Sequence, residues 1–96
     1  MKKEQVIKIL HDNRNRMDEF HVKSLSIFGS VARDEATDFS DVDILVEFSE
    51  PVGLFTFCGL KLFLEGILGT KVDLATCDAL RKEMREQILK EAVRAA

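Results

Sequence analysis

The sequence predicts an α/β (α+β) fold, a small mixed sheet covered by helices on one face. Segments 24–28, 41–48 and 71–75 alternate apolar and polar residues with the period of a strand. The stretches around them carry helical spacing or helix punctuation instead. Each predicted strand also has one apolar and one polar face, whereas strands buried on both faces read as continuous apolar runs.

Val6, Ile7, Leu10 and Met17 fall at helical spacing and predict an amphipathic helix over 3–17, followed by a connector over 18–23. In 24–28, Leu25 and Ile27 share one face and Ser26 takes the other. Gly29-Ser30 ends that strand, and Val31 to about Asp38 is expected to form a short helix or turn. In 41–48, Val42, Ile44, Val46 and Phe48 face one way, and Asp41, Asp43, Leu45 and Glu47 the other. Ser49-Glu50-Pro51 breaks the strand. Residues 54–68 read as a helix stopped by Gly69. In 71–75, Val72 and Leu74 oppose Lys71 and Asp73, and Asp78 is placed to cap a last helix over about 79–95. The whole of 1–96 reads as a single domain with no repeat, linker or low-complexity tract.

Composition narrows the function. Hydrophobic residues make up 46% and charged residues 32%, as in an ordinary folded globule. The net charge of −3 argues against nucleic acid as the main partner, since phosphate backbones demand basic surfaces. With no leader-like start and no membrane-length apolar run, the expected location is the cytoplasm, with no membrane partner. Cys58 and Cys77 lack metal-site spacing and are expected to be buried structural thiols.

The chemistry concentrates on the polar face. Asp41 and Asp43 stand two positions apart on a strand, so their Cα atoms should lie about 6.5–7 Å apart on one face. Converging carboxylates repel unless a cation lies between them, and hard oxygen ligands suit Mg²⁺. Asp73 has the same in–out phase and joins them if its strand is adjacent. Gly29-Ser30 lies where a strand meets a helix start, and exposed amides there attract phosphate.

The stretch from Gly29-Ser30-Val31-Ala32-Arg33 to Asp41-Val42-Asp43-Ile44-Leu45-Val46-Glu47-Phe48 resembles the signature of the DNA polymerase β-like nucleotidyltransferase superfamily. Within it the chain resembles the minimal nucleotidyltransferases, the MNT or MntA-type antitoxins. Lys71-Val72-Asp73-Leu74-Ala75 resembles their third-aspartate strand, and Asp34 departs from the Gly that many relatives carry after Ala-Arg. The resemblance implies a polymerase-β-like palm and nucleotidyl transfer from a nucleoside triphosphate, ATP, with release of pyrophosphate. It implies that Gly29 and Ser30 cradle the phosphates, that Asp41, Asp43 and Asp73 are catalytic, and that the same three aspartates ligate two Mg²⁺ ions. It also implies a HEPN-family toxin as partner, modified by AMP on a tyrosine. Transfer to a small-molecule hydroxyl and neutralisation by binding alone are the alternatives, and a homodimer or hetero-oligomer is open.

Other residues read more plainly. Arg33 either contacts phosphate or fixes the acidic loop by pairing with Glu35 or Asp38. Ser40 is expected to be a turn residue or cap rather than a ligand, and His11 and His21 fall outside every motif. The mixed charges over 81–90 suit a solvated helix face. Ten of the fifteen residues in 54–68 are apolar, more than one buried stripe needs, so this helix is either the central core helix or also a contact surface. Gly59 and Gly66, seven apart, are expected to share a face open to close approach.

Overall fold

The computed structural model describes residues 2–33, 35, 41–76 and 79–96. Its elements are α1 (Lys3–Asp12), α2 (Arg14–Met17), a 3₁₀ turn (Asp18–Phe20), β1 (Val22–Phe28), α3 (Gly29–Ala32), β2 (Val42–Phe48), α4 (Leu54–Leu68), β3 (Val72–Thr76), α5 (Lys82–Glu91) and β4 (Val93–Arg94). The sheet is mixed and four-stranded, in the order β3-β2-β1-β4. β1 pairs antiparallel with β2 and with β4, while β2 and β3 run parallel, joined by α4.

The apolar strand faces form the core as their alternation requires. Leu25, Ile27, Val42, Ile44, Val46, Val72 and Leu74 are buried, and Val6, Leu10, Met17, Leu60, Leu64 and Leu68 cover them from α1, α2 and α4. Truncating Ile44 or Leu64 to Ala should cost about 2–5 kcal/mol through lost burial and a residual cavity. On the opposite face Leu45 is only 6% exposed, yet it lies outside this core cluster. Its in-register neighbours are Ser26 on β1 and Ala75 on β3, both short side chains. α5 packs against β1 and α3 and gives no residue to the main core.

Several expectations change. The helix over 3–17 breaks at Asn13, whose side-chain amide donates to the Ile9 carbonyl at 2.8 Å and competes with the next helical turn. The last helix spans Lys82–Glu91 rather than 79–95, and its N-cap is Arg81. Asp78, expected to cap it, lies outside the described residues, as do Asp38, Ser40 and Cys77. At the other end Ala92 turns to extended backbone because β1 offers a free edge there. Val93 and Arg94 pair with Ile27 and Ser26, and Ala95 donates to the Leu25 carbonyl at 2.9 Å. Cys58, expected inside, is exposed, because its position on α4 faces away from the sheet.

α4 divides its excess of apolar residues between two faces. Leu60, Leu64 and Leu68 enter the core, whereas Leu54, Phe55 and Leu62 are 75%, 95% and 68% exposed. Phe63 is half-buried against the core, its ring centroid 5.5 Å from that of Phe20, with the Arg16 guanidinium 4.9 Å from its own centroid. Gly59 and Gly66 do not share a close approach. A Cβ on Gly59 would lie 3.4 Å from the Phe20 ring, but one on Gly66 would meet nothing within 4 Å. Gly69 ends the helix in the left-handed conformation, φ +69°, as its position predicts. Where the chain re-enters the sheet, the Val72 amide donates to the Glu65 carboxylate at 3.2 Å.

Candidate active site

The end of β1, the start of β2 and the start of β3 converge on one place. Phe28 pairs with Asp43 across β1–β2, and Asp43 pairs with Asp73 across β2–β3. Cross-strand partners project from the same face, so Asp43 and Asp73 point the same way, with Asp41 just before β2. Asp41 and Asp73 are exposed, while Asp43 is half-buried. The adjacency on which the third aspartate depends is therefore present.

Gly29 closes the other side of Asp43. It has φ +68°, a conformation that L side chains rarely adopt. A Cβ there would collide with the Asp43 carboxylate oxygen Oδ2 and sit 3.0 Å from its Cγ. Glycine is thus required twice, for the turn and for the carboxylate beside it. α3 is held down by Val31, which is 1% exposed, so the Gly29-Ser30 turn is fixed against the core. The Gly29 carbonyl accepts the Arg33 amide at 3.2 Å, and the Ser30 carbonyl accepts the Glu35 amide at 2.8 Å.

The electrostatics of the row are unfavourable by themselves. Burial pushes the Asp43 carboxyl above its ordinary pKa, and the charges of Asp73 and then Asp41 push it the same way. Arg33 opposes them. Among the described residues, no three carboxylate, imidazole or thiol groups close into a metal-ligand cluster. An open row still fits Mg²⁺, which is commonly held by one or two carboxylates with substrate phosphates and water completing its shell. The repulsion on Asp43 is what a cation would relieve.

Arg33 takes the loop-fixing role and adds a partner that its local sequence does not reveal. Its Nε donates to Glu35 Oε2 at 3.0 Å and its Nη1 to Glu91 Oε2 at 3.1 Å. Both carboxylates raise the guanidinium pKa and keep its charge in place. The Arg33–Glu91 contact spans 58 residues, and only the path of α5 across to α3 brings it about. A groove of about 990 Å³ lies elsewhere, at the far ends of β2 and β3, lined by Phe48, Pro51, Leu54, Phe57 and Ala75 among others. It includes none of the three aspartates, so its size does not locate the chemistry.

Comparison with known proteins gives this geometry its family. The nucleotidyltransferase domain family matches residues 4–95. Protein adenylyltransferase MntA of Thermococcus cleftensis is 38% identical over 91 residues, covering 94% of this chain and 92% of that protein. A solved candidate minimal nucleotidyltransferase superposes with a TM-score of 0.84 at 38% identity, over 97% of this chain and 95% of that one. A chain from a complex of a tri-AMPylated Shewanella oneidensis HEPN toxin with an MNT antitoxin shares the fold. Its TM-score is 0.60 at 20% identity, over 98% of this chain and 68% of that one. The protein belongs to the nucleotidyltransferase domain family, with the fold of its minimal members.

Proposed function

We propose that this chain is a Mg²⁺-dependent protein adenylyltransferase of the cytoplasm. In this reading it acts as antitoxin to a HEPN-family toxin and moves AMP from ATP to a tyrosine hydroxyl of that partner. The observation that carries the reading is the arrangement of Asp43 between the Gly29 turn and Asp73. The MntA relative and the antitoxin complex of similar fold support the choice of acceptor.

Each residue has a part in the chemistry. The amides of the Gly29-Ser30 turn and the Ser30 hydroxyl donate to the triphosphate, which fixes the α-phosphorus for in-line attack. Asp41, Asp43 and Asp73 would hold two Mg²⁺ ions, which when bound would neutralise the phosphates and make the acceptor hydroxyl more acidic. A tyrosine hydroxyl has a pKa near 10 and needs such help at neutral pH. In this reading Asp73 takes the hydroxyl proton, which its exposure on the outer strand supports. The tyrosine oxygen forms its bond to the α-phosphorus as the bond to the α–β bridging oxygen breaks. Pyrophosphate leaves with that electron pair. The rest of the work is positioning and charge neutralisation.

The test uses labelled ATP, Mg²⁺ and the product of the neighbouring reading frame. Label should appear on the partner with the wild-type chain and vanish with Asp41→Asn and Asp43→Asn. A partner that is bound and silenced without label would replace this reading with neutralisation by binding.

A further inference from the structure

From the two-carboxylate grip on Arg33, we infer that Glu91 is a positioning residue of the nucleotide site, acting through Arg33. The inference rests on the reading that the Gly29-Ser30 turn receives the triphosphate.

Arg33 directly follows α3, whose first two residues are that turn, and its amide closes α3 on the Gly29 carbonyl. Its charge lowers the pKa of the Asp43 carboxyl, against the pull of burial and of Asp73 and Asp41. A long arginine side chain in that place has many rotamers, and two carboxylates on different nitrogens restrict them. The two carboxylates are not equivalent. Glu35 is two residues away in the chain and 65% exposed, so it gives Arg33 no anchor on a separate element. Glu91 is 30% exposed and stands on the last turn of α5. The chain after it is pinned by β4 pairing with β1 and by buried Ala95. Glu91 therefore refers the guanidinium to the sheet, the same frame that carries Asp43 and Asp73. A guanidinium has five N–H donors, so this hold leaves capacity for phosphate oxygens. An arginine set in place before the nucleotide arrives loses less freedom on binding it.

A role confined to anchoring α5 would show in stability but not in nucleotide affinity. The experiment is a double-mutant cycle read as the Kd for ATP with Mg²⁺, by calorimetry on the full chain, with a thermal melt of each variant. Glu91→Ala should weaken binding about twofold to fivefold, the range one half-exposed ion pair supports. Arg33→Ala should weaken it at least as much, and adding Glu91→Ala to Arg33→Ala should change Kd no further. Glu91→Gln, which keeps the shape, should weaken binding in the same direction, and it carries the test if Glu91→Ala does not fold. Unchanged or tighter binding by the Glu91 variants overturns the inference. So does a Glu91 effect that persists in full without Arg33. Failure of the wild-type chain to bind ATP would instead overturn the nucleotidyltransferase reading on which the inference stands.

Discussion

Asp43 stands in register with Asp73 across the parallel β2–β3 pair, and the two carboxylates share a face that also receives Asp41. Burial and these like charges make the ionised Asp43 unfavourable in the folded, metal-free chain. Its pKa is higher folded than unfolded. The stability tied to its proton is therefore full below the ordinary carboxylate range and is lost as pH rises through the folded value. Asp43→Asn should melt at higher temperature than wild type at pH 7 in chelator. The gap should close as the pH falls below about 4. An Asp43→Asn chain that is less stable than wild type at neutral pH would contradict the electrostatics described above.

Activity should move the opposite way. Asp41→Asn, Asp43→Asn and Asp73→Asn should each cut the rate of nucleotidyl transfer on the order of 10²–10³-fold or more, as when a charge-stabilising group is removed. Ser30→Ala, which removes one hydroxyl donor and leaves the backbone amides, should cost about tenfold. Label-transfer rates, measured beside melting curves, separate these losses from unfolding.

Gly29 and Gly69 form a matched pair. Both have left-handed backbone, φ +68° and +69°, but only Gly29 has a carboxylate against it. Gly69→Ala should cost about 1 kcal/mol of stability, the conformational penalty, and leave transfer unchanged. Gly29→Ala should cost more, and it should also abolish transfer, because the new methyl group must displace Asp43. Equal effects at the two positions would remove the close approach as an explanation.

Two phenylalanines on α4 should differ sharply. Phe55 is 95% exposed, and Phe55→Asp should change stability by no more than about 0.5 kcal/mol. Phe63 packs on Phe20 beneath Arg16, and Phe63→Asp should cost about 3 kcal/mol or more. Chemical denaturation of both variants checks this contrast.

Strand alternation made β1, β2 and β3 legible to within two residues, because one buried face imposes a period of two. The same alternation placed Asp41, Asp43 and Asp73 on one face, with their adjacency conditional on strand order. α4 was legible to its ends, as an apolar helical stretch over 54–68 stopped by Gly69. β4 was not legible: two residues cannot display a period, and Val93 and Arg94 are extended only because β1 has an open edge. The break at Asn13 turns on one side-chain hydrogen bond within an otherwise continuous apolar pattern. Glu91 lies one position past the mixed charges of 81–90 and carries no signal of its own in the sequence, and only tertiary placement pairs it with Arg33. Cys58 followed a residue-type preference that its helical phase overrode.

β3 is the outer strand on its side of the sheet, and a bare margin of amides is where foreign strands attach. The Val72 amide is occupied by the Glu65 side chain from the preceding helix, so part of that margin is already quenched by the chain itself. Replacing Glu65 with Ala should leave that amide open to another strand. That loss would first appear as concentration-dependent clumping of a chain that still folds.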